Sequence, residues 1–368
     1  MSTTTQTITE DTARLTLKGT STPLKIAEQH PADKEKYPYA RFLPHYTTSF
    51  KLPPLEPFEH VDIGHEALKD SNPRSFLDGA SLSNITPSFG VEVKDGVDLT
   101  KLDRKQRAQL ALYVAQKGVV VFRNQQAFID ADPRWQIDDW GTTFGRIHIH
   151  PVSGQPKDFP ELHLVFRDAV ATTDEYPDSD RLNNTTIHSD VTYELQPPGL
   201  TTLFLYETPE SGGDTLFIDQ REAYNRLSPS FRAYLETLRV VHSGFEQAEN
   251  SARLHGPETI KRQPVKHEHP LIRRHPVTGE KALFVQPGFS RSIVGLKKEE
   301  SDTILNLLYD HIAKGHEFHA RARWGEPGSV TLWDNRITAH SALIDWNSGI
   351  VGRRHGARIT AQAERPFI

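Results

Sequence analysis

The segment Thr201–Asp219, "TTLFLYETPESGGDTLFID", carries the clearest structural signal in the sequence. Its two ends, "TTLFLYE" and "DTLFID", are rich in β-branched and aromatic residues, and the Pro- and Gly-containing segment between them is typical of a turn. Six further segments of this kind lie on both sides of it: "RIHIHPV", "LHLVF", "TTIHSDVTY", "KALFVQPG", "SVTLWDN" and "GARITAQ". Many short strands separated by turns predict a mainly β protein with a jelly-roll core, also called a double-stranded β-helix.

Segments with helical spacing flank these strands. The segment 102–118 places Leu110 and Val114 on one side of a helix that ends at Gly118, and the "VVVFRN" after it is typical of a buried strand. We expect this helix and strand at the edge of the domain. Two later segments, 221–238 and 297–313, combine an apolar stripe with a charged face, which predicts flanking helices that cover the barrel from outside.

The sequence divides into two regions. Residues 1–80 are rich in Thr and Pro, which predicts an extended arm with little regular structure, and its aromatic residues indicate that part of it packs on the main body. Residues 81–368 contain the strand and helix signals and form the predicted jelly-roll domain. Within this domain, the acidic segment 167–184 is the longest candidate for a mobile lid.

Composition narrows the class of function. The chain has 368 residues, 43 of them basic and 48 acidic, and this near balance without a polybasic segment argues against nucleic-acid and membrane-surface binding. No apolar run approaches the roughly 18 residues of a membrane span. The sequence has no cysteine, so His and carboxylate are the available metal ligands. The amino terminus lacks the apolar core of a secretory signal, so we expect a cytosolic protein, monomeric or homo-oligomeric, that binds a small ligand.

A candidate metal site begins with His188 and Asp190 in "TTIHSDVTY". Residues two apart on a strand face the same side, so these two side chains are either ligands of one metal or polar groups on the wet face of a strand. A single His-x-Asp pair is weak evidence in a chain with 18 histidines and 48 acidic residues, and His60 and Asp62 form another such pair in the arm. The downstream His340 in "WDNRITAH" would complete the two-His-one-carboxylate set that non-heme iron oxygenases use.

Two arginines follow His340 and strengthen this hypothesis. Arg354 and Arg358 are four residues apart, so on a strand they face the same side. A guanidinium pairs bidentately with a carboxylate, which 2-oxoglutarate presents at its far end when its keto-acid end chelates iron. One arginine could hold that cosubstrate and the other an anionic substrate. The alternative is that both are solvated strand residues.

Seven segments together resemble the taurine dioxygenase family of Fe(II)- and 2-oxoglutarate-dependent enzymes. They occur in the family's order and approximate spacing over residues 85–368: "FGRIHIHPV", "IHSDVTY", "PPG", "SGGDTLFID", "HPVTGEKALFVQPGF", "WDNRITAH" and "RRHGAR". The N-terminal arm is similar to the extension of fungal sulfonate dioxygenases. The resemblance implies a jelly-roll enzyme that uses Fe(II), 2-oxoglutarate and O₂.

Carried over by position, the resemblance also implies roles for single residues. His188, Asp190 and His340 would bind the iron, and Thr215 and Arg354 would hold the distal carboxylate of 2-oxoglutarate. The implied substrate contacts are the sulfonate-binding Arg358, the polar residues His150 and Asn184, and the apolar residues Val191 and Phe284 or Phe289. Two positions depart from the family pattern, because Ser153 replaces a tyrosine and Ile187 a tryptophan.

The implied reaction is hydroxylation of the carbon next to the anionic group of a small organosulfonate. The products would be sulfite, an aldehyde, succinate and CO₂. The departures at Ser153 and Ile187 lie near the expected substrate, so an anionic head group is implied more strongly than taurine itself. The alternative substrate is an alkyl sulfate or a small carboxylic or amino acid of specialised metabolism.

Three other readings of the sequence stay open. A metal-free binding module could use the same strands but has no need of three ligands and an arginine. A zinc hydrolase could use His and Asp ligands but has no need of Arg354. A zinc or cupin-type site could be built on the His-x-His pair of His148 and His150, although no Glu and third His follow at cupin-like spacing.

Overall fold

A computed structural model describes residues 37–46, 50–167, 186–325, 328–345 and 353–368. In these residues we number the strands β1 to β16 in chain order: Ser81–Asn84, Val91–Asp95, Val119–Phe122, Arg146–Ile147, His163–Arg167, Pro198–Glu207, Thr215–Asp219, Arg239–Ser243, Lys266–Pro270, Ile272–Arg274, Lys281–Leu283, Ser290–Ile293, His319–Ala322, Val330–Asp334, Thr338–Ala342 and Arg354–Gln362. The longer helices are α1 to α5: Arg104–Lys117, Gln220–Asn225, Pro229–Leu235, Phe245–His255 and Lys298–Lys314.

Shorter helical segments connect these elements. The one-turn α-helices are Gly64–Ala67, Gln126–Ile129, Pro133–Trp135 and Thr142–Phe144, and a π-helix spans Gln136–Gly141. The 3₁₀ turns are Ala40–Phe42, Ser75–Leu77, Leu99–Lys101, Pro257–Thr259 and His316–Phe318. None of the helices in the described ranges combines the length and apolarity that a membrane span requires.

The described strands form four sheets, of which a large sheet and a small sheet pack face to face; the other two have the orders β12-β8-β9 and β10-β11. The large sheet has the order β1-β2-β3-β14-β6-β16-β4, and β5 pairs with β16 beside β4. Its strand pairs are antiparallel except β2 and β3, which run parallel. The small sheet has the order β13-β7-β15. This arrangement confirms the predicted mainly β fold with a jelly-roll core.

The large sheet is apolar on both faces. Val119 and Val121 face the small sheet, where they join a buried cluster with Phe217 and Trp333. The alternate residues, Val120 and Phe122 among them, belong to a second buried cluster that includes the α1 residues Leu110 and Val114. Burial on both sides explains why "VVVF" is a continuous apolar run instead of an alternating one.

Helix α1 and strand β3 were both predicted, but not where they lie in the fold. Asp103 and Gln106 form a reciprocal capping box at the start of α1, and Gly118 ends it with a φ of 75°. A β-carbon at Gly118 would lie 2.2 Å from the Phe89 ring, so the position requires glycine for space and conformation. The expected place at the domain edge is wrong, because β3 pairs with β2 on one side and with β14 on the other.

Of the two predicted flanking helices, one is continuous and the other is divided into two. The segment 297–313 is one helix, α5, whose apolar residues pack in a third buried cluster. The segment 221–238 is divided into α2 and α3, because Pro229 has no N–H to continue the first helix and instead begins the second. Helix α4 was not predicted from the sequence.

The described part of the N-terminal arm lies against the jelly roll. Tyr37 Oη is 2.7 Å from His355 Nδ1 of β16, and Lys51 donates to the carbonyls of Glu258 and Ile260. Asp62 forms an ion pair of 2.6 Å with the buried Arg336. The boundary between arm and domain near residue 80 stays a prediction.

Candidate metal and substrate site

A cavity of about 280 Å³ lies between the two packed sheets. Strands β5, β6, β14 and β16 of the large sheet line it, together with β7 and β15 of the small sheet. Nine of the predicted site residues line this cavity: His150, His188, Asp190, Val191, Thr215, Phe289, His340, Arg354 and Arg358. The sequence motifs, which are far apart in the chain, therefore meet in one place.

His188 and Asp190 reach the cavity from a turn, and the predicted strand over "TTIHSDVTY" is wrong. Among residues 186–193, only His188 pairs with a strand, through two backbone hydrogen bonds with His340 of 2.9 and 2.7 Å. The chain then turns, with Val191 at a φ of 39° and the Glu194 amide donating to the Val191 carbonyl. A left-handed backbone at a β-branched residue is unfavourable and persists only where its surroundings hold it.

The ligand atoms of His188, Asp190 and His340 lie within 4.8 Å of one another. Nε2 of each histidine is 3.6 Å from Asp190 Oδ1, beyond hydrogen-bonding distance. The His188 Nδ1 is 3.0 Å from the Thr186 carbonyl, which makes Nδ1 the protonated nitrogen and leaves Nε2 as a metal ligand. Asp190 Oδ2 is buried without a hydrogen-bond partner among the described residues. Three converging donors with one orphaned carboxylate oxygen fit a divalent transition metal.

Asn335 holds the backbone of Asp190 in place. Its Oδ1 accepts from the Asp190 amide at 2.6 Å, and its Nδ2 donates to the Asp190 carbonyl at 3.1 Å. Asn335 itself is fully buried in the turn between β14 and β15, where Arg336 forms an ion pair with Asp334. One side chain therefore joins the turn that carries Asp190 to the turn that precedes His340.

Arg354 and Thr215 lie next to each other on the floor of the cavity. Arg354 Nε donates to the Gly213 carbonyl at 2.8 Å, and Nη2 is 3.4 Å from Thr215 Oγ1. Thr215 Oγ1 also accepts from the indole N–H of Trp324 at 3.0 Å. These contacts fix one edge of the guanidinium and place a fixed cation beside a hydroxyl, which is a suitable arrangement for one carboxylate group.

Arg358 lies beside the metal ligands. Its Nη1 donates to Asp190 Oδ1 at 2.6 Å, and both side chains are buried. Burial by itself would raise the pKa of Asp190, but the positive charge of Arg358 lowers this pKa well below its ordinary value. Burial lowers the pKa of His340 to about 3. The carboxylate is therefore charged and the imidazole neutral near neutral pH, as metal ligation requires.

His150 and His163 complete the polar wall around Arg358. The backbone amides of Val152 and Ser153 both donate to His150 Nδ1, so its proton is on Nε2. Arg358 Nη2 donates to His163 Nδ1 at 3.2 Å, which likewise places that proton on Nε2. Burial, assisted by neighbouring positive groups, lowers the pKa of both histidines well below the usual value. The wall therefore offers a guanidinium and two neutral imidazole N–H donors.

The sequence pattern of the family described as "Taurine catabolism dioxygenase TauD, TfdA family" matches residues 81–360. The chain belongs to this family. An alpha-ketoglutarate-dependent sulfonate dioxygenase of Saccharomyces cerevisiae is 44% identical over 93% of this chain and 81% of its own length. The alpha-ketoglutarate-dependent dioxygenase cnsM of Penicillium expansum is 37% identical over 89% of this chain and 90% of its own. The crystal structure of a taurine dioxygenase from Burkholderia xenovorans superposes with a TM-score of 0.63 at 32% identity, covering 78% of this chain and 90% of that one.

This TauD-family enzyme is an Fe(II)- and 2-oxoglutarate-dependent dioxygenase whose second cosubstrate is O₂, which confirms the predicted enzyme class and cofactors. The roles of single residues stay predictions that the cavity geometry supports. Asn184 and the predicted lid at 167–184, apart from Arg167, lie outside the described residues. A zinc or cupin-type site on His148 and His150 has little support, because His148 is paired with Glu194 at 3.0 Å and only His150 lines the cavity.

The apolar lining of the TauD-family enzyme differs from the prediction at three residues. Phe289 lines the cavity, 5.9 Å from the His188 ring, but Phe284 does not and instead packs against His242. Trp333, for which no site role was predicted, is part of the buried cluster and also lines the cavity. Ile187 packs into the cluster beneath α5.

Two polar cavity residues of the TauD-family enzyme were missed from the sequence. His163 comes from β5 and Gln247 from α4, and both line the cavity. His163 is the second residue of the predicted strand "LHLVF". Its alternation with Val165 indicates that both face the same side of the sheet. Gln247 had no such signal, because its helix was not predicted.

Proposed function

We propose that this enzyme oxidises a small organosulfonate at the carbon next to sulfur and releases sulfite. The observation that carries the proposal is the wall of Arg358, His150 and His163, which offers only cationic and neutral N–H donors next to the metal ligands. Such a wall suits an anion with several acceptor oxygens. The name of the yeast relative, a sulfonate dioxygenase, supports the same substrate class.

Different cavity residues would bind the metal, the cosubstrate and the substrate. His188, Asp190 and His340 would hold Fe(II), and Arg354 with Thr215 would bind the far carboxylate of 2-oxoglutarate. When bound, the iron with 2-oxoglutarate and O₂ supplies the power to replace a C–H hydrogen by hydroxyl. Arg358 and His150 orient the sulfonate so that its neighbouring carbon faces the metal ligands. A misplacement of about 1 Å can cost on the order of a hundredfold in rate, so this anchoring decides which carbon reacts.

The balance of atoms predicts the products. R–CH₂–SO₃⁻, O₂ and 2-oxoglutarate give R–CH(OH)–SO₃⁻, succinate and CO₂. The hydroxysulfonate then loses its C–S bond, with the electron pair leaving on sulfur and the hydroxyl proton released, to give R–CHO and sulfite. A cytosolic location and the oligomeric state stay predictions.

The experiment uses the full chain with Fe(II), ascorbate and 2-oxoglutarate. Small sulfonates are compared with alkyl sulfates and carboxylates of equal length, and 2-oxoglutarate loss, sulfite and sulfate are measured in each reaction. The proposal expects sulfite in equal amount to the succinate formed, only with O₂ present. Succinate formation that is coupled to sulfates or carboxylates, without sulfite from any sulfonate, would overturn it.

A further inference from the structure

The loop of residues 151–155 carries part of the substrate side of the cavity. It follows His150 directly and contains Ser153, and both of these side chains line the cavity. The amides of Val152 and Ser153 donate to His150 Nδ1 at 3.3 and 3.1 Å, so the loop backbone fixes the orientation and the tautomer of this imidazole. The position of His150 therefore depends on the contacts that hold the 151–155 loop.

Lys261 binds this loop at three points. Its amide donates to the Pro151 carbonyl at 2.7 Å. Its ammonium group donates to the Ser153 carbonyl at 2.5 Å and to the side-chain oxygen of Gln155. Lys261 is buried, and a buried ammonium group needs acceptors that replace its lost water. The lysine therefore depends on these oxygens, and the loop depends on the lysine.

The N-terminal arm packs on the same loop. His45 and Gln155 exchange two backbone hydrogen bonds of 2.9 and 3.3 Å. A β-carbon at Gly154 would lie 3.1 Å from the ring of Tyr46 and 3.2 Å from Pro44. The arm therefore passes directly over the glycine, at a distance that leaves no room for a larger residue without a shift of the chain.

The arm also contacts the two neighbours of the loop. The Leu52 amide donates to the Lys261 carbonyl at 2.7 Å. The ring of Tyr46 stacks on His255, the last residue of α4, with 4.3 Å between the ring centroids. Helix α4 itself packs against Val152 of the loop in a buried apolar cluster. The arm, Lys261 and α4 thus enclose the loop together.

We propose that the N-terminal arm, chiefly through Tyr46, and Lys261 together position the 151–155 loop for substrate binding. Within the described ranges neither of these two side chains lines the cavity, so they are positioning residues that act through His150 and the loop. This inference rests on the proposed function, which places the substrate beside His150. The predicted cosubstrate residues project from the paired strands β7 and β16, so we expect loss of the support to affect substrate binding and not cosubstrate binding.

Hydrogen exchange tests the support of the loop without any substrate. The full chain loaded with Mn²⁺ and 2-oxoglutarate is compared as parent enzyme, Lys261→Met and Tyr46→Ala. Deuterium uptake is measured by mass spectrometry in peptides that cover residues 149–156 and 186–193. We expect uptake at 149–156 to become at least about fivefold faster in both variants, with uptake at 186–193 as in the parent. Unchanged uptake at 149–156 in either variant would overturn the inference for the residue that was changed.

Steady-state kinetics with propane-1-sulfonate test the consequence for the substrate. Lys261→Met and Tyr46→Ala should each raise the KM for this probe by about tenfold, because His150 is no longer held in place. The KM for 2-oxoglutarate and the affinity for Mn²⁺ should change by less than about twofold. Tyr46→Phe keeps the ring over the loop and should behave as the parent enzyme does.

Tyr39→Ala is the matched control. Tyr39 lies in the same arm, but it stacks on Tyr206 and donates to Asp130. Its loss should lower the melting temperature and leave the KM for propane-1-sulfonate as in the parent. An equal rise of this KM in Tyr39→Ala and Tyr46→Ala would show a general effect of the arm on stability and would overturn the inference.

Two further results would also overturn the inference. One is a KM for the sulfonate and a KM for 2-oxoglutarate that rise together. The other is an unchanged KM for the sulfonate in variants whose exchange at 149–156 has become faster. If Lys261→Met does not fold, Tyr46→Ala decides. If the parent enzyme releases sulfite from no sulfonate, the proposed function fails, and the exchange experiment still decides whether the arm and Lys261 hold the loop.

Discussion

The two sides of the cavity are built in different ways. On the metal and cosubstrate side, His340, Thr215 and Arg354 project from the paired strands β15, β7 and β16, and the His188 backbone is bonded to β15. On the substrate side, Ser153 lies in a loop, Gln247 on α4 and Phe289 in a turn next to β12. Apart from Asp190, which Asn335 holds, the metal side is set by strand pairing, whereas these three substrate-side residues lie outside the paired strands.

This difference indicates which part of the cavity serves the metal chemistry and which part serves substrate specificity. Strand pairing fixes the ligand positions to within the tolerance that metal binding demands, and that geometry is the same for every substrate. Loops and helices outside the sheets can change without disturbing the pairing, so we expect them to determine which substrate is bound. Arg358 belongs to both sides, since it lies on β16 and contacts both Asp190 and His163.

Loss of a metal ligand should have the largest effect. His188→Ala removes one of three ligands, so we expect turnover below detection and no measurable Mn²⁺ binding by calorimetry, with the circular dichroism spectrum unchanged. His60→Ala is the matched control, because His60 begins the other His-x-Asp pair and lies in the arm. Equal loss of metal binding in both variants would contradict the predicted ligand set.

The two arginines should separate cosubstrate from substrate. Arg354→Ala should raise the KM for 2-oxoglutarate by about a hundredfold and Arg358→Ala the KM for the sulfonate by a similar factor, because each loses charge-assisted hydrogen bonds. The Lys variant at each position should show a smaller rise in KM than the Ala variant, since lysine keeps the positive charge but not the paired N–H groups of the guanidinium. If both substitutions change both KM values to a similar extent, Arg354 and Arg358 do not have separate roles in binding cosubstrate and substrate.

Much of the metal side was predictable because its motifs are local. "IHSD" and "WDNRITAH" contain the ligands, and "RRHGAR" places Arg354 and Arg358 at a spacing that one strand face accepts. The backbone around Asp190 was not predictable. Val191 and Tyr193 favour a strand by residue type, but the Asn335 contacts hold Asp190 next to a left-handed residue, and these contacts join positions 145 apart in the chain.

The substrate side was less accessible to sequence analysis for a physical reason. Gln247 is hydrogen-bonded to Tyr193, and His163 to Arg358, so the placement of each side chain depends on a neighbour that is distant in sequence. Hydrophobic periodicity reports which face of an element is buried, but it does not report which cavity that face meets. Phe284 and Phe289 illustrate this limit, because both are buried and one of them lines the cavity.

Asn335 offers a test of how firmly the metal side is fixed. Asn335→Ala removes both hydrogen bonds to the Asp190 backbone, so we expect the affinity for Mn²⁺ to fall by about tenfold, in the range seen for groups that orient metal ligands. Calorimetry with Mn²⁺ measures this directly. Asn225→Ala, at an exposed position of α2, is the control. A lower melting temperature with unchanged Mn²⁺ affinity would make Asn335 a structural residue only.

The smallest effect should distinguish the two phenylalanines. Phe289→Leu removes part of an aromatic ring from the cavity wall, so we expect the KM for the sulfonate to rise by about fivefold with a small change in melting temperature. Phe284→Leu should instead lower the melting temperature and leave the KM for the sulfonate nearly unchanged. The reason is that Phe284 packs on His242 and under the Arg273 guanidinium, away from the cavity. Steady-state kinetics and thermal unfolding of both variants check this. If Phe284→Leu raises the KM more than Phe289→Leu does, the apolar wall extends beyond the cavity residues and the contrast between the two sides is less sharp.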